Sequence, residues 1–483
     1  MQVQGRVVVH VVGLLTGFVG ASMLVPAAVS LAYRETVAVQ ILLASALTMA
    51  CGALAYRLTR PIGDIRIRDG FAIVTLGWVV VAVFGSLPFI LSGSIPSWTG
   101  AFFETMSGFT TTGATVVRDI DVLPRGVLLW RSQTQWMGGM GIIVLSVAIL
   151  PLLGIGGMQL IQAEIPGLAP DRIRPRVRQT ATLLWVVYAI LTVAEIVLLL
   201  FGGMTPFEAV NHAFATMATG GFSTENASIG AYPSAYLQYT IGVFVVLDGI
   251  NFTLHHSWMT GNWRAVFRNG ELRIYLAILA TSTLLLTVIV HLPGHVEGGL
   301  EASFRAAFFQ TGSLMTTTGF ATIDYELWSP AAHVLLLLLM LIGGCAGSTA
   351  GSVKVLRYIL VAKEARISLR RLLHPAGVFV YKLDGRVVSQ EALASVSGFL
   401  LLYLGALALG VLTLALLGLD ARTAVGATAA TLGNVGPGHG LTGQSTTYAG
   451  MGDAALWVMS SLMLLGRLEI FTVLILFTRG YWR

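Results

Sequence analysis

Charged residues are scarce in this sequence. Asp, Glu, Lys and Arg make up 11% of its 483 residues, whereas hydrophobic residues make up 55%. A soluble domain typically carries about 25% charged residues. No polar stretch is longer than roughly forty residues, which leaves no room for a sizeable separate soluble domain. The composition therefore excludes a water-soluble protein, and any regulatory domain is expected on another chain.

Cysteine is also scarce. Cys51 and Cys345 lie in separate apolar stretches, without CxxC spacing and without a histidine-rich metal pattern. We therefore expect neither a disulfide framework nor a zinc site, but two free thiols in the apolar core. The motifs HExxH and GxSxG are absent, and none of the nine histidines forms a catalytic constellation. These absences disfavour a membrane-embedded enzyme, and no bound cofactor is expected.

Basic residues outnumber acidic ones, with 29 against 23, but they do not form one patch. When the loops are assigned alternately to the two sides of a membrane, most basic residues fall on one side, with clusters within 57–68, 172–178, 264–273 and 354–386. The positive-inside rule makes that side cytoplasmic and places both termini there. The charge therefore indicates topology in a lipid membrane and not nucleic-acid binding; a docking surface for a cytosolic partner is a secondary interpretation.

Two apolar stretches, 7–33 and 36–57, predict an N-terminal helix hairpin. The first is longer than the core of a signal peptide, about 7–15 residues, and is expected to be retained. A four-part pattern then repeats four times: a long apolar helix, a short helix of about a dozen residues, a Gly/Thr-rich stretch and a second long helix. The first long helices are predicted near 71–93, 179–204, 273–292 and 390–418, and the second ones near 125–154, 236–264, 331–369 and 450–479.

The short helices cannot cross about 30 Å of hydrocarbon, so we interpret them as re-entrant pore helices. The glycines at the centre of the following stretches are Gly113, Gly221, Gly319 and Gly436, at intervals of 108, 98 and 117 residues. This internal repeat predicts an all-α polytopic membrane protein with four pseudo-symmetric helix–pore-loop–helix repeats around a central pore, plus the N-terminal hairpin. The predicted division is 1–62 for the hairpin and 63–170, 171–268, 269–386 and 387–483 for the repeats.

The glycine-rich stretches have the composition of a cation site. A cation that loses its water needs a ring of carbonyl oxygens, and glycine reaches the required backbone conformations at little cost. Threonine hydroxyls add oxygen ligands or brace the loop, and ligation by oxygen alone favours a hard cation over a transition metal. The candidate ion-binding residues are Thr111, Thr112, Gly113, Thr219, Gly220, Gly221, Thr317, Thr318, Gly319, Asn434, Val435 and Gly436.

Five motifs, at residues 107–115, 135–143, 156–160, 434–438 and 466–471, resemble the Trk/Ktr/HKT family of potassium transporters, and the likeness covers essentially the whole chain. The extra N-terminal hairpin resembles the TrkH branch. The resemblance implies a potassium-selective filter at the four central glycines. The fourth loop lacks the Thr-Thr-Gly pattern, so the role of its side chains is the least defined.

Two further features point to control of flux. Arg467 is predicted in the middle of the last apolar helix, where an unpaired charge costs a few kcal/mol or more. The stretch 343–352, with Gly343, Gly344, Gly347 and Gly351, interrupts another apolar span and disfavours a continuous helix. The resemblance implies that the stretch obstructs the pore below the filter and that Arg467 faces the pore. The alternatives are a structural ion pair and close helix packing.

Other polar residues lie in apolar surroundings. Asp248, Asn251 and Glu104 either brace a pore helix or touch an ion, and the sequence does not separate these roles. For His212 a hydrogen-bonded structural role is favoured over a ligand. Lys354, just beyond the interrupted stretch, is a candidate for coupling it to the cytoplasmic side.

The sequence thus favours a gated subunit for potassium uptake across the inner membrane. Sodium or mixed sodium/potassium translocation, ion-coupled symport and a purely structural scaffold are the alternatives. The resemblance also implies a homodimer on a cytosolic ring of TrkA-like nucleotide-binding regulatory subunits. This chain itself contains no Rossmann-type nucleotide motif.

Overall fold

A computed structural model describes residues 3–59, 66–148, 173–377, 379–384 and 386–482. In these ranges, six helices are long and apolar enough to cross a membrane, and two further bent helix pairs qualify if each is one span. The only strands within the same ranges are the two-residue pair β1 Lys382–Leu383 and β2 Arg386–Val387. The predicted all-α polytopic fold is therefore confirmed.

The helices follow the predicted order closely. In chain order they are α1 Gly5–Ser22, α2 Leu24–Ala32, α3 Ala38–Leu58, α4 Ile67–Gly85, α5 Leu87–Leu91, α6 Trp98–Phe109, α7 Arg125–Ala148, α8 Ile173–Phe201, α9 Pro206–Met217, α10 Ala235–Asp248, α11 Phe252–Met259, α12 Trp263–Arg268, α13 Gly270–His291, α14 Gly299–Met315, α15 Pro330–Met340, α16 Val355–Leu373, α17 Gln390–Leu416, α18 Ala421–Leu432, α19 Asp453–Arg467, α20 Phe471–Leu474 and α21 Arg479–Trp482.

Helices α1 and α3 form the N-terminal hairpin through close backbone contact. A Cβ atom added at Gly52 would lie 2.4 Å from the backbone nitrogen of Gly17 and 2.7 Å from the carbonyl oxygen of Gly13. Small residues allow this approach, which gains van der Waals contact where lipid supplies no hydrophobic drive for helix pairing. The position of glycines on the facing sides of α1 and α3 therefore determines how closely the two helices pack.

The four short helices are α6, α9, α14 and α18. Three of them have 12 residues, as predicted, and α14 is longer at 17 residues. Three begin with a side-chain cap, which accepts a hydrogen bond from a free N–H of the first turn: Ser97 for α6, Thr205 for α9 and Asp420 for α18. The caps start these helices at equivalent points ahead of the glycine-rich loops.

The prediction of one helix over 236–264 is wrong. Helices α10 and α11 meet at an angle of 105° around residues 249–251. The backbone leaves the helix here because the carbonyl oxygen of Gly249 accepts a hydrogen bond from the Cys345 N–H at 2.8 Å. Asn251 then caps α11 by accepting from the Thr253 N–H, also at 2.8 Å. Asn251 thus shapes a helix break.

The placement of Arg467 in mid-helix is also wrong. Arg467 is the last residue of α19, and the chain bends by 109° before α20. Glu469 and Ile470 in the bend have φ angles of 57° and 52°, which side-chain-bearing residues rarely adopt. By contrast, the predicted interruption at 343–352 is confirmed, because α15 ends at Met340 and α16 begins at Val355.

Several sequence-based expectations concern residues outside the described ranges. These are the motif at 156–160, the end of the span predicted to reach 154, and the basic residues Arg60, Arg172 and Arg483. Both cysteines are free, and Cys345 is buried as expected. Cys51 is exposed, however, because it lies on the outward face of α3 and not in the core.

The contact at Gly52 leads to a first prediction. Gly52→Ala adds a methyl group that collides with the α1 backbone, so we expect a loss of about 1–3 kcal/mol in the free energy of unfolding. Gly17→Ala is the matched control, because a Cβ there has nothing within 4 Å. At this position inside α1, alanine has a higher helix propensity than glycine, by up to about 1 kcal/mol. Thermal unfolding in detergent measures both, and equal midpoints for the two variants would contradict the packing argument.

Candidate functional site

All four short helices end in the same hydrogen-bonded motif. After α6, the Thr112 N–H donates to the Ser107 carbonyl at 2.8 Å and the Thr111 N–H donates to the Gly108 carbonyl at 2.9 Å. This pair of bonds is the Schellman motif, which ends a helix with a residue in the left-handed conformation. Bonds equivalent to the first one, also at 2.8 Å, run from Gly220 to Ala215, from Thr318 to Ser313 and from Val435 to Ala430.

We call the segments after the short helices glycine loops 1 to 4: residues 110–115, 218–223, 316–321 and 433–438. Each loop has two residues with positive φ, separated by one residue with negative φ. Alternating signs of φ turn successive carbonyls toward one side of the chain, whereas a β-strand points them alternately to both sides. The positive values are 51°, 52°, 59° and 54° at Thr111, Thr219, Thr317 and Asn434, and 83°, 76°, 84° and 101° at Gly113, Gly221, Gly319 and Gly436.

The three threonines adopt this conformation at a cost. A β-branched residue in the left-handed region is strained by roughly 1–3 kcal/mol, and such strain persists only where the surroundings enforce it. Asparagine adopts the same conformation more readily. Glycine loop 4, which is the most divergent in sequence, therefore keeps the same backbone geometry through Asn434.

The four loops contact one another in a closed ring. A Cβ atom added at Gly436 would lie 2.6 Å from the carbonyl oxygen of Thr112. Loop 4 therefore contacts loop 1, which closes the ring. Real Cβ atoms do not approach oxygen this closely, so only glycine fits at these four points. A Cβ at Gly113, Gly221 or Gly319 would lie 2.1 Å from the carbonyl oxygen of Gly220, Thr318 or Val435 in the next loop.

The ring brings together all twelve residues predicted from the sequence as ion-binding. Asn434 joins the neighbouring loops, because its side-chain amide donates to the Thr112 hydroxyl at 3.0 Å and to the Met463 carbonyl at 2.9 Å. At each loop contact, a backbone carbonyl of one loop lies against the central glycine of its neighbour. A ring of carbonyl oxygens replaces the water shell of a hard monovalent cation.

Side chains behind the ring hold the loops in place. The Gln135 amide donates to the Gly220 carbonyl at 2.6 Å and accepts from the Phe222 N–H at 3.1 Å. The Tyr448 hydroxyl donates to the Gly436 carbonyl at 2.8 Å. The roles of Gln135 and Tyr448 are not predictable from the sequence, because nothing in their local pattern separates a brace from an ordinary core residue.

His212 and Glu104 are braces. The His212 ring nitrogens contact the Glu208 carbonyl at 2.9 Å and the Ser223 hydroxyl at 3.0 Å, which confirms the structural role expected for this histidine. Glu104 is fully buried and accepts hydrogen bonds from the residues that follow Gly113. Asp248 is also fully buried, and its carboxylate has no hydrogen-bond partner among the described residues.

Residues 343–352, which we call the intramembrane segment, lie against the ring. The Gly351 N–H donates to the Thr317 hydroxyl at 2.6 Å, and a Cβ at Gly351 would lie 2.3 Å from the Gly433 carbonyl oxygen. The Thr349 hydroxyl donates to the carbonyl of Met217, the last residue of α9, at 3.3 Å. The segment thus contacts loops 3 and 4 and the end of the helix that precedes loop 2.

Arg467 and Lys354 both hold the intramembrane segment. The Arg467 Nη1 donates to the Thr349 carbonyl at 2.8 Å, so its partner is this non-helical segment and not a neighbouring helix. Lys354 donates through Nζ to the Ala350 carbonyl. Glu469, two residues further on, pairs with Arg357 and not with Arg467. The candidate gating residues therefore form one contiguous group.

The ring contacts generate a second prediction. Gly319→Ala introduces both a left-handed alanine and a collision with the Val435 carbonyl, whereas Gly93→Ala introduces only the former, because nothing lies within 4 Å of a Cβ at Gly93. We expect Gly93→Ala to lower the free energy of unfolding by about 1–2 kcal/mol and Gly319→Ala by roughly a further 1–3 kcal/mol. Thermal unfolding of the purified variants checks this, and an equal loss in both would argue against the ring contact.

Three comparisons with known proteins all find similarity to TrkH proteins. Residues 38–481 match the TrkH family, described as cation transport protein. The chain is 41% identical to the Trk system potassium uptake protein TrkH of Escherichia coli (strain K12) over 483 residues, covering 99% of each protein. It is 40% identical to the protein of the same name from Salmonella typhimurium, again over 99% of each.

A solved structure is similar as well. The crystal structure of the potassium transporter TrkH from Vibrio parahaemolyticus superimposes with a TM-score of 0.91 at 39% sequence identity. The match covers 99% of this chain and 100% of that one.

Proposed function

The chain belongs to the TrkH family of cation transport proteins, and we propose that it takes up potassium across the inner membrane through a gated pore. The closed ring of four glycine loops carries this proposal, because it brings backbone carbonyls from all four loops to one place. In this proposal the potassium ion sheds its water and is held by carbonyl and hydroxyl oxygens of the twelve ring residues. The ion is the transported substrate.

The intramembrane segment is the proposed gate. Its contacts with Thr317, Gly433 and Met217 support a position directly under the ring. Arg467 supports the closed state in two ways: it donates to the Thr349 carbonyl, and its charge raises the barrier for a cation nearby. Opening then requires that Gly351 leave the Thr317 hydroxyl. Lys354 is placed to couple that movement to α16.

The proposal extends to topology and partners. Both termini lie in the cytoplasm, and the chain divides into the hairpin 1–62 and four repeats around the pore. The chain acts as a homodimer on a cytosolic TrkA-like nucleotide-binding subunit. The exposed Arg366, Arg370 and Arg371 near the end of α16 support such docking, because they extend a basic surface beyond the membrane.

Ion flux into liposomes tests the proposed function directly. Purified protein, with and without the regulatory subunit, is expected to admit rubidium and potassium in preference to sodium. Equal rates for sodium would favour the mixed-cation alternative, a requirement for a proton or sodium gradient would favour symport, and no cation flux under any condition would remove the proposal.

Gly319→Asp tests the ring itself. The side chain has no space beside the Val435 carbonyl, and its charge would trap cations, so we expect potassium flux to fall by about a hundredfold or more. Gly93→Asp is the control, because that glycine also has positive φ but lies away from the ring. Potassium flux that survives in Gly319→Asp would show that the ion does not pass through the ring.

Arg467→Gln tests the gate. Loss of the charge and of the hydrogen bond to Thr349 is expected to raise the basal rubidium flux by about tenfold, since each 1.4 kcal/mol of lost stabilisation changes a two-state population tenfold. Arg264→Gln, at an exposed arginine in α12, removes the same charge elsewhere and should leave the flux unchanged. A basal flux in Arg467→Gln that is equal to or lower than that of the unmodified protein would contradict the gating role.

A further inference from the structure

One buried ion pair stands directly behind the ring. Arg131 in α7 and Glu104 in α6 are joined by a 2.8 Å contact between Nε and Oε1, and their side chains are 1% and 0% exposed. Burying two charges costs more than most other ways of filling the same space, and replacement by apolar residues is often neutral or stabilising. Stability alone therefore does not explain a fully buried pair at this position.

Glu104 holds the part of loop 1 that follows Gly113. Its carboxylate oxygens Oε1 and Oε2 accept from the Thr115 hydroxyl at 2.9 and 3.0 Å. Oε2 also accepts from the Val116 N–H at 2.9 Å. Hydrogen bonds to a charged acceptor are roughly twice as strong as those between neutral groups. The ionised carboxylate thus fixes the chain directly beyond the glycine of loop 1.

Arg131 extends this anchor to loop 2. Its Nη1 donates to the Ser223 carbonyl at 3.2 Å, and Nη2 donates to the Thr115 hydroxyl at 3.3 Å. The guanidinium lies 4.2 Å from the centre of the Phe222 ring. Ser223 and Phe222 directly follow Gly221, so one side chain holds the exits of both loops. The planar guanidinium of arginine presents N–H donors in fixed directions and can bond all three partners at once. The compact ammonium of lysine lacks this fixed fork.

The other loops are braced by different chemistry. Nine residues before the central glycine, the four short helices carry Glu104, His212, Gln310 and Ala427. His212 bonds Ser223, two residues after Gly221, just as Glu104 bonds Thr115, two residues after Gly113. The amide nitrogen of Gln310 has no partner among the described residues, and alanine has no polar group. Among these four equivalent residues, Glu104 is the one that forms an ion pair.

We propose that the Glu104–Arg131 pair is a positioning device that fixes the spacing between loops 1 and 2 and thereby sets the preference of the ring for potassium over sodium. This inference rests on the proposed function. A ring that relaxes inward coordinates the smaller sodium ion, and one held open by fixed anchors does not. Both residues act through the loop backbone and do not contact the ion.

The test compares ion selectivity in variants that change the pair by steps. Glu104→Gln keeps the shape and one acceptor oxygen but loses the charge, and Arg131→Lys keeps the charge but loses the fork. The double variant Glu104→Gln with Arg131→Gln leaves no unpaired buried charge and guards against misfolding of the single variants. We expect the potassium-to-sodium flux ratio to fall by about tenfold in each, while potassium flux itself persists.

Glu301→Gln is the matched control. Glu301 also lies in a short helix and pairs with an arginine, Arg305, but its side chain is 59% exposed. The same chemical change there should leave the flux ratio unaltered. The readout is reversal potential or paired rubidium and sodium flux in liposomes, with thermal unfolding measured on the same preparations.

The outcomes separate the two proposals. If the unmodified protein gives no cation flux, the proposed function is wrong, whatever the variants show. If the protein conducts and the folded variants keep its selectivity while only their unfolding temperature falls, the pair is purely structural and this inference is wrong. Failure of the double variant to fold would likewise assign the pair to stability and not to selectivity.

Discussion

The structure depends on four points where the backbone of one loop lies so close to a carbonyl of the next that no side chain fits between them. This proximity requires glycine at Gly113, Gly221, Gly319 and Gly436. It also requires that each short helix stop at the right residue, which the Schellman motifs achieve. The long helices supply the buried surroundings that keep this irregular backbone away from lipid, where its polar groups would be unsatisfied.

The same constraint explains the irregular parts of the fold. The intramembrane segment lies against the ring because Gly351 brings its backbone to within hydrogen-bond distance of Thr317. The break between α10 and α11 frees the Gly249 carbonyl to accept from Cys345 in the adjacent stretch. The bend after Arg467 directs its guanidinium to Thr349. These three breaks in long helices therefore meet at one level of the molecule.

Much of this arrangement follows from the sequence. The repeated glycines and the apolar spans predict four loops between helices, and four glycines in ten residues predict the interruption at 343–352. The break at Gly249 and the end of α19 at Arg467 are not predictable in this way, because both depend on hydrogen bonds to distant segments. The importance of Arg131 could be inferred from the sequence, since a charged residue within a predicted membrane span signals a buried partner. Its partner Glu104 becomes apparent only in three dimensions.

The four loops belong to a single chain, and this has a consequence for how such a ring changes over time. In a pore built from four identical subunits, every substitution enters the ring four times at once. Here a mutation alters one quarter of the ring and leaves the other three loops as they were. Such single changes allow equivalent positions to differ from loop to loop. Asn434 occupies the position that threonine holds in the other three loops, and Glu104 is equivalent to a histidine in one short helix and an alanine in another.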